Sequence, residues 1–196
     1  MKRETVDVGA LARECAALMR IDAEKAGLKI AVKVGEPLPD VALDPRAVRQ
    51  ILINLLANAV KFTSDGEVSI DVRAEGEELL LVVADTGVGM GPEDLKKLGA
   101  RFAKGADGVR GAKGTGLGLA VANALVELHG GRLALQSAPG EGVRAEARLP
   151  IVKPARPERR LRSVVESARA DAAAPAILSQ LERVEAYRRE RSRSAA

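Results

Sequence analysis

The segment from Asp44 to Thr63, DPRAVRQILINLLANAVKFT, restricts the fold more than any other stretch of the chain. Asp44 can cap a helix, Pro45 suits the first helical position, and neither proline nor glycine recurs until Gly66. Val48, Ile51, Leu52, Leu55 and Ala59 return at helical spacing, which predicts a helix with one apolar face that needs a second layer to bury it. Asn54, Asn58 and Lys61 follow one another at steps of four and three, so they share a stripe beside that face. Asparagine is a weak helix former that favours caps and turns. Two of them in mid-helix, in line with a lysine, predict the polar lining of a cleft.

The flanking sequence supplies the second layer. Val8 to Ala26 reads as an amphipathic helix stopped by Gly27, with Leu11, Cys15, Leu18 and Met19 on its apolar side, and Met1 to Thr5 reads as its charged approach. Leu28 to Val34 alternates as a strand, and Val41 to Leu43 is a short one. Glu67 to Ala74 and Glu77 to Ala84 form two strands joined around Gly76, the second apolar enough to be central. A helix runs from the glycines at Gly114 to His129. Arg132 to Ser137 and Val143 to Leu149 make a last hairpin around Ala138-Pro139-Gly140-Glu141-Gly142. Hairpins mixed with helices predict an α+β fold: a two-layer α/β sandwich whose mixed, mostly antiparallel sheet is covered on one face by helices.

Charge separates a body from a tail. From Lys153 onward there are 11 Lys and Arg against 6 Asp and Glu, so residues 1–152 carry about −1 of the chain's net +4. No nucleic-acid partner is expected for the body; in the tail, only Tyr187 could stack beside Arg188 to Arg193. With no long apolar run and no signal peptide, no membrane segment is expected and the cytoplasm is the expected location. One cysteine and one histidine exclude an internal disulfide and argue against structural zinc; Cys15, among Leu11, Leu18 and Ile21, is expected in the core with them.

Two glycine clusters carry the remaining chemistry. Asp85-Thr86-Gly87-Val88-Gly89-Met90 leaves the apolar strand, so a carboxylate stands beside backbone that a flat ligand can approach closely. Gly114-Thr115-Gly116-Leu117-Gly118-Leu119 opens a helix, where free backbone N–H groups and the positive helix end favour an anion. Between them, Gly91 to Lys113 reads as a long loop, a lid or a disordered segment. The Walker pattern is absent, and Pro92 occupies the third glycine position of a dinucleotide fingerprint. The specific signal is the ordered set N-x-x-x-N-x-x-K, D-x-G-x-G, loop, G-x-G-x-G.

In that order, the motifs resemble the catalytic ATP-binding domain of two-component sensor histidine kinases, of Bergerat-type fold, in the superfamily shared with DNA gyrase B, mismatch-repair ATPases and heat-shock chaperones. LINLLANAVKFT resembles its asparagine box, ADTGVGM its first glycine box, KLGARFAKG its phenylalanine box with Phe102, and KGTGLGLAVANALVELHGG its second glycine box. The resemblance covers about Thr5 to Pro150. It implies ATP and Mg²⁺ as cofactors: Asn58 as the Mg²⁺ ligand, Asn54 supporting the metal and the phosphates, and Lys61 neutralising phosphate charge. It further implies Asp85 as acceptor for the adenine amino group, with Gly87 and Gly89 admitting the base. Gly114, Thr115, Gly116, Leu117 and Gly118 would wrap the triphosphate, with Arg101 and Lys104 as lid-side contacts. Where water-activating members of the superfamily have a glutamate, this chain has Asn54, an amide that cannot take a proton from water, which favours phosphoryl transfer over hydrolysis.

The acceptor implied by the resemblance is a histidine on a dimerising hairpin, in cis if the chain is a piece of a longer kinase or in trans if it stands alone, with a response regulator as a further partner. The sole His129 sits at a helix end and reads as structural. The tail, residues 153–196, has helical spacing at Arg159 to Ala170 and Ala176 to Arg191. It reads either as frayed or disordered basic sequence or as a docking element for a response regulator or an acidic partner. Two other functions fit the same fold: a non-catalytic nucleotide-binding regulator, and a serine kinase of the anti-sigma-factor type.

Overall fold

The computed structural model of the protein describes residues 2–103 and 117–152. Seven strands and four helices follow in the order β1 (Glu4–Val6), α1 (Val8–Lys25), β2 (Lys29–Val34), β3 (Val41–Leu43), α2 (Pro45–Phe62), β4 (Glu67–Glu75), β5 (Glu78–Asp85), α3 (Pro92–Ala103), α4 (Leu117–Leu128), β6 (Arg132–Ser137) and β7 (Val143–Pro150). Five strands form a sheet in the order β2-β4-β5-β7-β6, in which only the β2–β4 pair is parallel. β1 and β3 form a separate antiparallel pair.

Alternation in the strands decides which face is covered. In β4 and β5, Val68, Ile70, Val72, Leu79, Leu81 and Val83 are buried on one face together with Ala145, Ala147 and Leu149 of β7. Helices α1, α2 and α4 pack on this face: Leu11, Ala12 and Cys15 of α1, Val48, Ile51, Leu52, Leu55 and Leu56 of α2, and Ala122 and Val126 of α4 close the core. The result is the α+β two-layer sandwich that the sequence predicts. Burial holds the Cys15 thiol above its ordinary pKa, consistent with a packing role.

The opposite face has no helix among the described residues, yet Leu80 and Val82 are 0% and 1% exposed. The register places Leu80 between Arg73 and Arg148, and Val82 between Asp71 and Glu146. Those long side chains lie over the two aliphatic residues and join in one network: Arg73 pairs with Asp71 and Glu75, Arg148 with Glu75, Glu78 and Glu146, Arg132 with Glu78, and Arg144 with Glu146. The apolar run Leu79–Val83 of β5 is thus buried on both faces by different means, hydrocarbon on one and the stems of paired charged side chains on the other.

The sequence reading is corrected in three places. Glu4–Val6 is a strand paired with β3, because a partner edge was available that the local pattern could not reveal. Pro92–Ala103, expected as loop, is a helix with Glu93 and Asp94 in its first turn. Leu18 and Ile21, expected beside Cys15 in the core, are 60% and 63% exposed; the face α1 buries is the narrower one of Val8, Leu11, Ala12, Cys15 and Ala16.

Candidate functional site

The asparagine helix is fixed at both ends. Asp44 caps α2, its Oδ1 accepting from the N–H groups of Arg46 (3.1 Å) and Ala47 (3.4 Å), with Pro45 next to it as expected. The capping carboxyl also accepts from the Lys2 N–H, chief among the hydrogen bonds that hold Asp44 below its ordinary pKa. At the other end, the Thr63 hydroxyl donates to the Ala59 carbonyl (2.7 Å), and the Phe62 carbonyl accepts from the Val88 N–H (3.2 Å). That last bond ties the end of α2 to the first glycine cluster.

The cluster is held equally firmly from the far side. Asp85 Oδ1 accepts from the backbone N–H groups of Gly87 (2.9 Å) and Val143 (3.2 Å). The Ser137 hydroxyl donates to the Gly142 carbonyl (2.6 Å) and accepts from the Met90 N–H (2.8 Å), and the Val88 carbonyl accepts from the Gly140 N–H (2.8 Å). The β6–β7 turn therefore braces the loop that follows β5. Two glycines make the close approach possible: Gly89 and Gly142 have φ of +65° and +71°, and a Cβ on either would collide with backbone, that of Ala138 and of Asp85 respectively. Ser137, Gly142 and Val143 were missed by the sequence reading, which took the segment for an ordinary hairpin turn; the G-x-G spacing of Gly140 and Gly142 was the available signal.

Between α2, the sheet and these loops lies a cavity of about 290 Å³. Its walls are Leu55, Ala59 and Phe62 of α2, Val83, Leu135 and Ala145 of the sheet, and Val88, Met90, Leu98 and Leu119 around the mouth. Two polar side chains stand among this lining, Asn58 and Asp85. An apolar slot with two separated polar groups suits a flat, mostly apolar ring that must be oriented. Since Asp85 Oδ1 already serves two N–H groups, its second oxygen is the acceptor left for such a ring.

Asn54 lies one turn before Asn58 and against α4. A Cβ added to Gly118 would stand 3.6 Å from Asn54 Oδ1, an ordinary van der Waals distance, so the first turn of α4 lies beside the asparagine stripe. Asn54 Oδ1 accepts from Gln50 Nε2 (3.1 Å), and Asn54 Nδ2 is buried without a partner among the described residues. Lys61 is exposed, its Nζ 5.1 Å from the centre of the Phe62 ring. The structure thus places Asn58, Asp85 and Gly89 in the lining of the cavity, Gly87 against Asp85 beside it, Asn54 near Gly118 one turn before Asn58, and Lys61 near the end of α2. Leu117 begins α4; Lys104, Gly114, Thr115 and Gly116 lie outside the described residues, as do the side chains of Arg101 and Phe102.

His129 is 1% exposed, and both ring nitrogens are engaged: Nδ1 lies 2.7 Å from the Leu125 carbonyl, to which it must donate, and Nε2 accepts from the Asp44 N–H (3.3 Å). The structural role expected of it is the one its surroundings show. No group of three or more His, Cys, Asp or Glu able to hold a metal occurs among the described residues, and no helix among them is long and apolar enough to cross a membrane.

Residues 43–153 match the family described as histidine kinase-, DNA gyrase B- and HSP90-like ATPase. Histidine protein kinase DivJ of Caulobacter vibrioides is 35% identical over 153 residues, 78% of this chain and 26% of DivJ. A sensor-like histidine kinase of Rhizobium meliloti is 42% identical over 130 residues, 65% of this chain and 25% of that protein. The chain thus spans about a quarter of the length of these relatives. Among solved structures, full-length ShkA in complex with AMPPNP matches with a TM-score of 0.68 at 34% identity, over 80% of this chain and 33% of ShkA. The nucleotide-free catalytic domain of histidine kinase ThkA matches with a TM-score of 0.67 at 24% identity, over 79% of this chain and all of that one, which speaks to the fold.

Proposed function

Because this chain belongs to the histidine kinase-, DNA gyrase B- and HSP90-like ATPase family, as an ATP-binding catalytic domain of the sensor-histidine-kinase type, we propose that it binds Mg-ATP in the α2–α4 cleft and donates the γ-phosphoryl group to a histidine outside the described residues. The observation that carries this reading is the apolar cavity in which Asn58 and Asp85 are the polar side chains. The residues present fit the ligand. Asp85 is positioned to accept from the adenine amino group, with Gly87 and Gly89 allowing the base close to the backbone. Asn58 offers an amide oxygen, adequate for a hard cation that draws most of its remaining ligands from phosphate and water. Lys61, exposed beside the Phe62 ring, would bring its ammonium group to phosphate.

Bound Mg²⁺ would supply charge neutralisation across the phosphate oxygens. The chain's own contribution is positional. The α4 N-terminus at Leu117 and Gly118 would turn helix N–H groups toward the phosphates, and Gly114, Thr115, Gly116, Lys104 and Arg101 belong to the proposed phosphate-side contacts. Asn54 cannot deprotonate water, so an external nucleophile is required. His129 is not that nucleophile, since both of its nitrogens are occupied in the core. The acceptor is therefore a histidine on a dimerisation domain, in cis or in trans, from which a response regulator would take the phosphoryl group.

The test has two stages. Titration with AMPPNP, with and without Mg²⁺, should show metal-dependent binding. Incubation with γ-labelled ATP and a histidine-bearing dimerisation hairpin should then give acid-labile label on the hairpin. Acid-stable label on a serine of an anti-anti-sigma protein would replace this reading with a serine kinase, and binding without transfer to either would leave a nucleotide-binding regulator.

A further inference from the structure

We infer that Gln50 is a positioning residue that turns the Asn54 side-chain amide so that its N–H₂ end, rather than its oxygen, is offered to the triphosphate; the inference rests on the nucleotide-binding reading above. A primary amide has one accepting end and one donating end. Whichever end a neighbour takes, the other is left for the ligand. Gln50 stands one helical turn before Asn54 on the stripe that continues to Asn58, and its Nε2 donates to Asn54 Oδ1 at 3.1 Å. The oxygen end of Asn54 is thereby held toward its own helix. What remains is Nδ2, buried and without a hydrogen-bond partner among the described residues.

A buried donor with no acceptor is costly, and folded proteins seldom leave one unless a ligand or water completes it. The surroundings indicate what completes this one. Asn54 packs on Gly118 in the first turn of α4, where unpaired backbone N–H groups already favour an anion. A phosphate oxygen accepts from an N–H₂ group. A water held by a cation does not, because its hydrogens point outward and require an acceptor. The orientation therefore divides labour along the stripe: Asn58 offers oxygen to the metal, and Asn54 offers N–H to phosphate. The resemblance implies that Asn54 supports both the metal and the phosphates; the orientation set by Gln50 narrows that role to the phosphates.

Gln50→Met keeps the length and helical preference of the side chain but removes the donor. Affinity for AMPPNP is compared with affinity for adenosine, which reaches the Asp85 cavity without phosphates, and the side-chain amide resonance of Asn54 is followed by nitrogen-15 NMR in both titrations. The expected result is a loss of about tenfold for AMPPNP, equivalent to about 1.4 kcal/mol, with adenosine affinity unchanged. In the unsubstituted protein, the Asn54 N–H₂ resonance should shift with AMPPNP and stay in place with adenosine. A purely structural role for Gln50 would weaken both ligands together. Equal losses, no loss, or an Asn54 amide that ignores AMPPNP would overturn the inference. Failure of the unsubstituted protein to bind either ligand would instead remove the nucleotide-binding reading on which it stands.

Discussion

The imidazole of His129, at the end of α4, accepts a hydrogen bond from the backbone N–H of Asp44, the residue that caps α2. The helix carrying the asparagine stripe and the helix opened by the second glycine cluster are thereby joined at the ends remote from the cleft. Leu125 completes the arrangement by accepting from Nδ1, which fixes the tautomer. His129→Leu should fold but lose about 1–3 kcal/mol, because the Asp44 N–H is left without its acceptor in a part-buried position. Urea denaturation checks this; an unchanged midpoint would show the bond to be dispensable.

The β6–β7 turn offers a matched pair of substitutions. Gly140 and Gly142 both have positive φ, but a Cβ at 140 meets nothing within 4 Å, whereas one at 142 collides with the Asp85 backbone. Gly140→Ala should cost about 1 kcal/mol of conformational strain and leave nucleotide affinity intact. Gly142→Ala should cost more stability and weaken nucleotide binding as well, because it displaces Asp85. Thermal melts with calorimetric titration of AMPPNP separate the two effects, and equal behaviour of the two variants would refute the bracing role.

Asp85 and Asn58 should fail differently. Asp85→Asn keeps an oxygen for the Gly87 and Val143 N–H groups but offers an incoming base a donor where an acceptor is needed. Affinity for adenosine and AMPPNP should drop together by about 1–3 kcal/mol. Asn58→Ala should leave adenosine binding nearly unchanged and abolish the Mg²⁺ dependence of AMPPNP binding. Titrations of both ligands with and without Mg²⁺ would expose the opposite pattern.

The arginine–carboxylate network on the sheet face opposite the helices predicts an acid-side dependence. Arg73, and to a lesser extent Arg148, holds the Glu75 carboxyl below its ordinary pKa, and Arg132 followed by Arg148 does the same for Glu78. Carboxyls with lower pKa values folded than unfolded bind fewer protons in the native state, so their contribution is present above about pH 4.5 and is lost as pH falls through the folded values. Arg148→Met retains cover over Leu80 but not the charge, so its stability should decline less steeply below that pH. Arg148→Ala should also lose the cover and melt lower than Arg148→Met at neutral pH. Parallel acid profiles for the protein and Arg148→Met would count against the network.

Most of the fold was legible from local pattern, because helices with caps and strands with period-two burial carry their own signals. Asp44 and Pro45 marked the start of α2, and the unbroken run from Leu79 to Val83 marked the central strand. The stripe of Asn54, Asn58 and Lys61 was visible because helical spacing alone sets which residues share a side. β1 was not visible, since three residues become a strand only when β3 offers an edge. Leu18 was misplaced because periodicity cannot say how wide a face the neighbouring layer will cover.

The sequence by itself determined the layers, the order of the motifs and the side of α2 that carries the polar groups, all of which follow from interactions within a few residues. Only the tertiary structure decided that Val143, fifty-eight positions away, would share Asp85 Oδ1 with Gly87, and that the Met90 N–H would donate to the Ser137 hydroxyl. Hydrogen bonds of that kind depend on which atoms packing brings within about 3 Å. A one-dimensional pattern of apolar and polar residues does not contain that information.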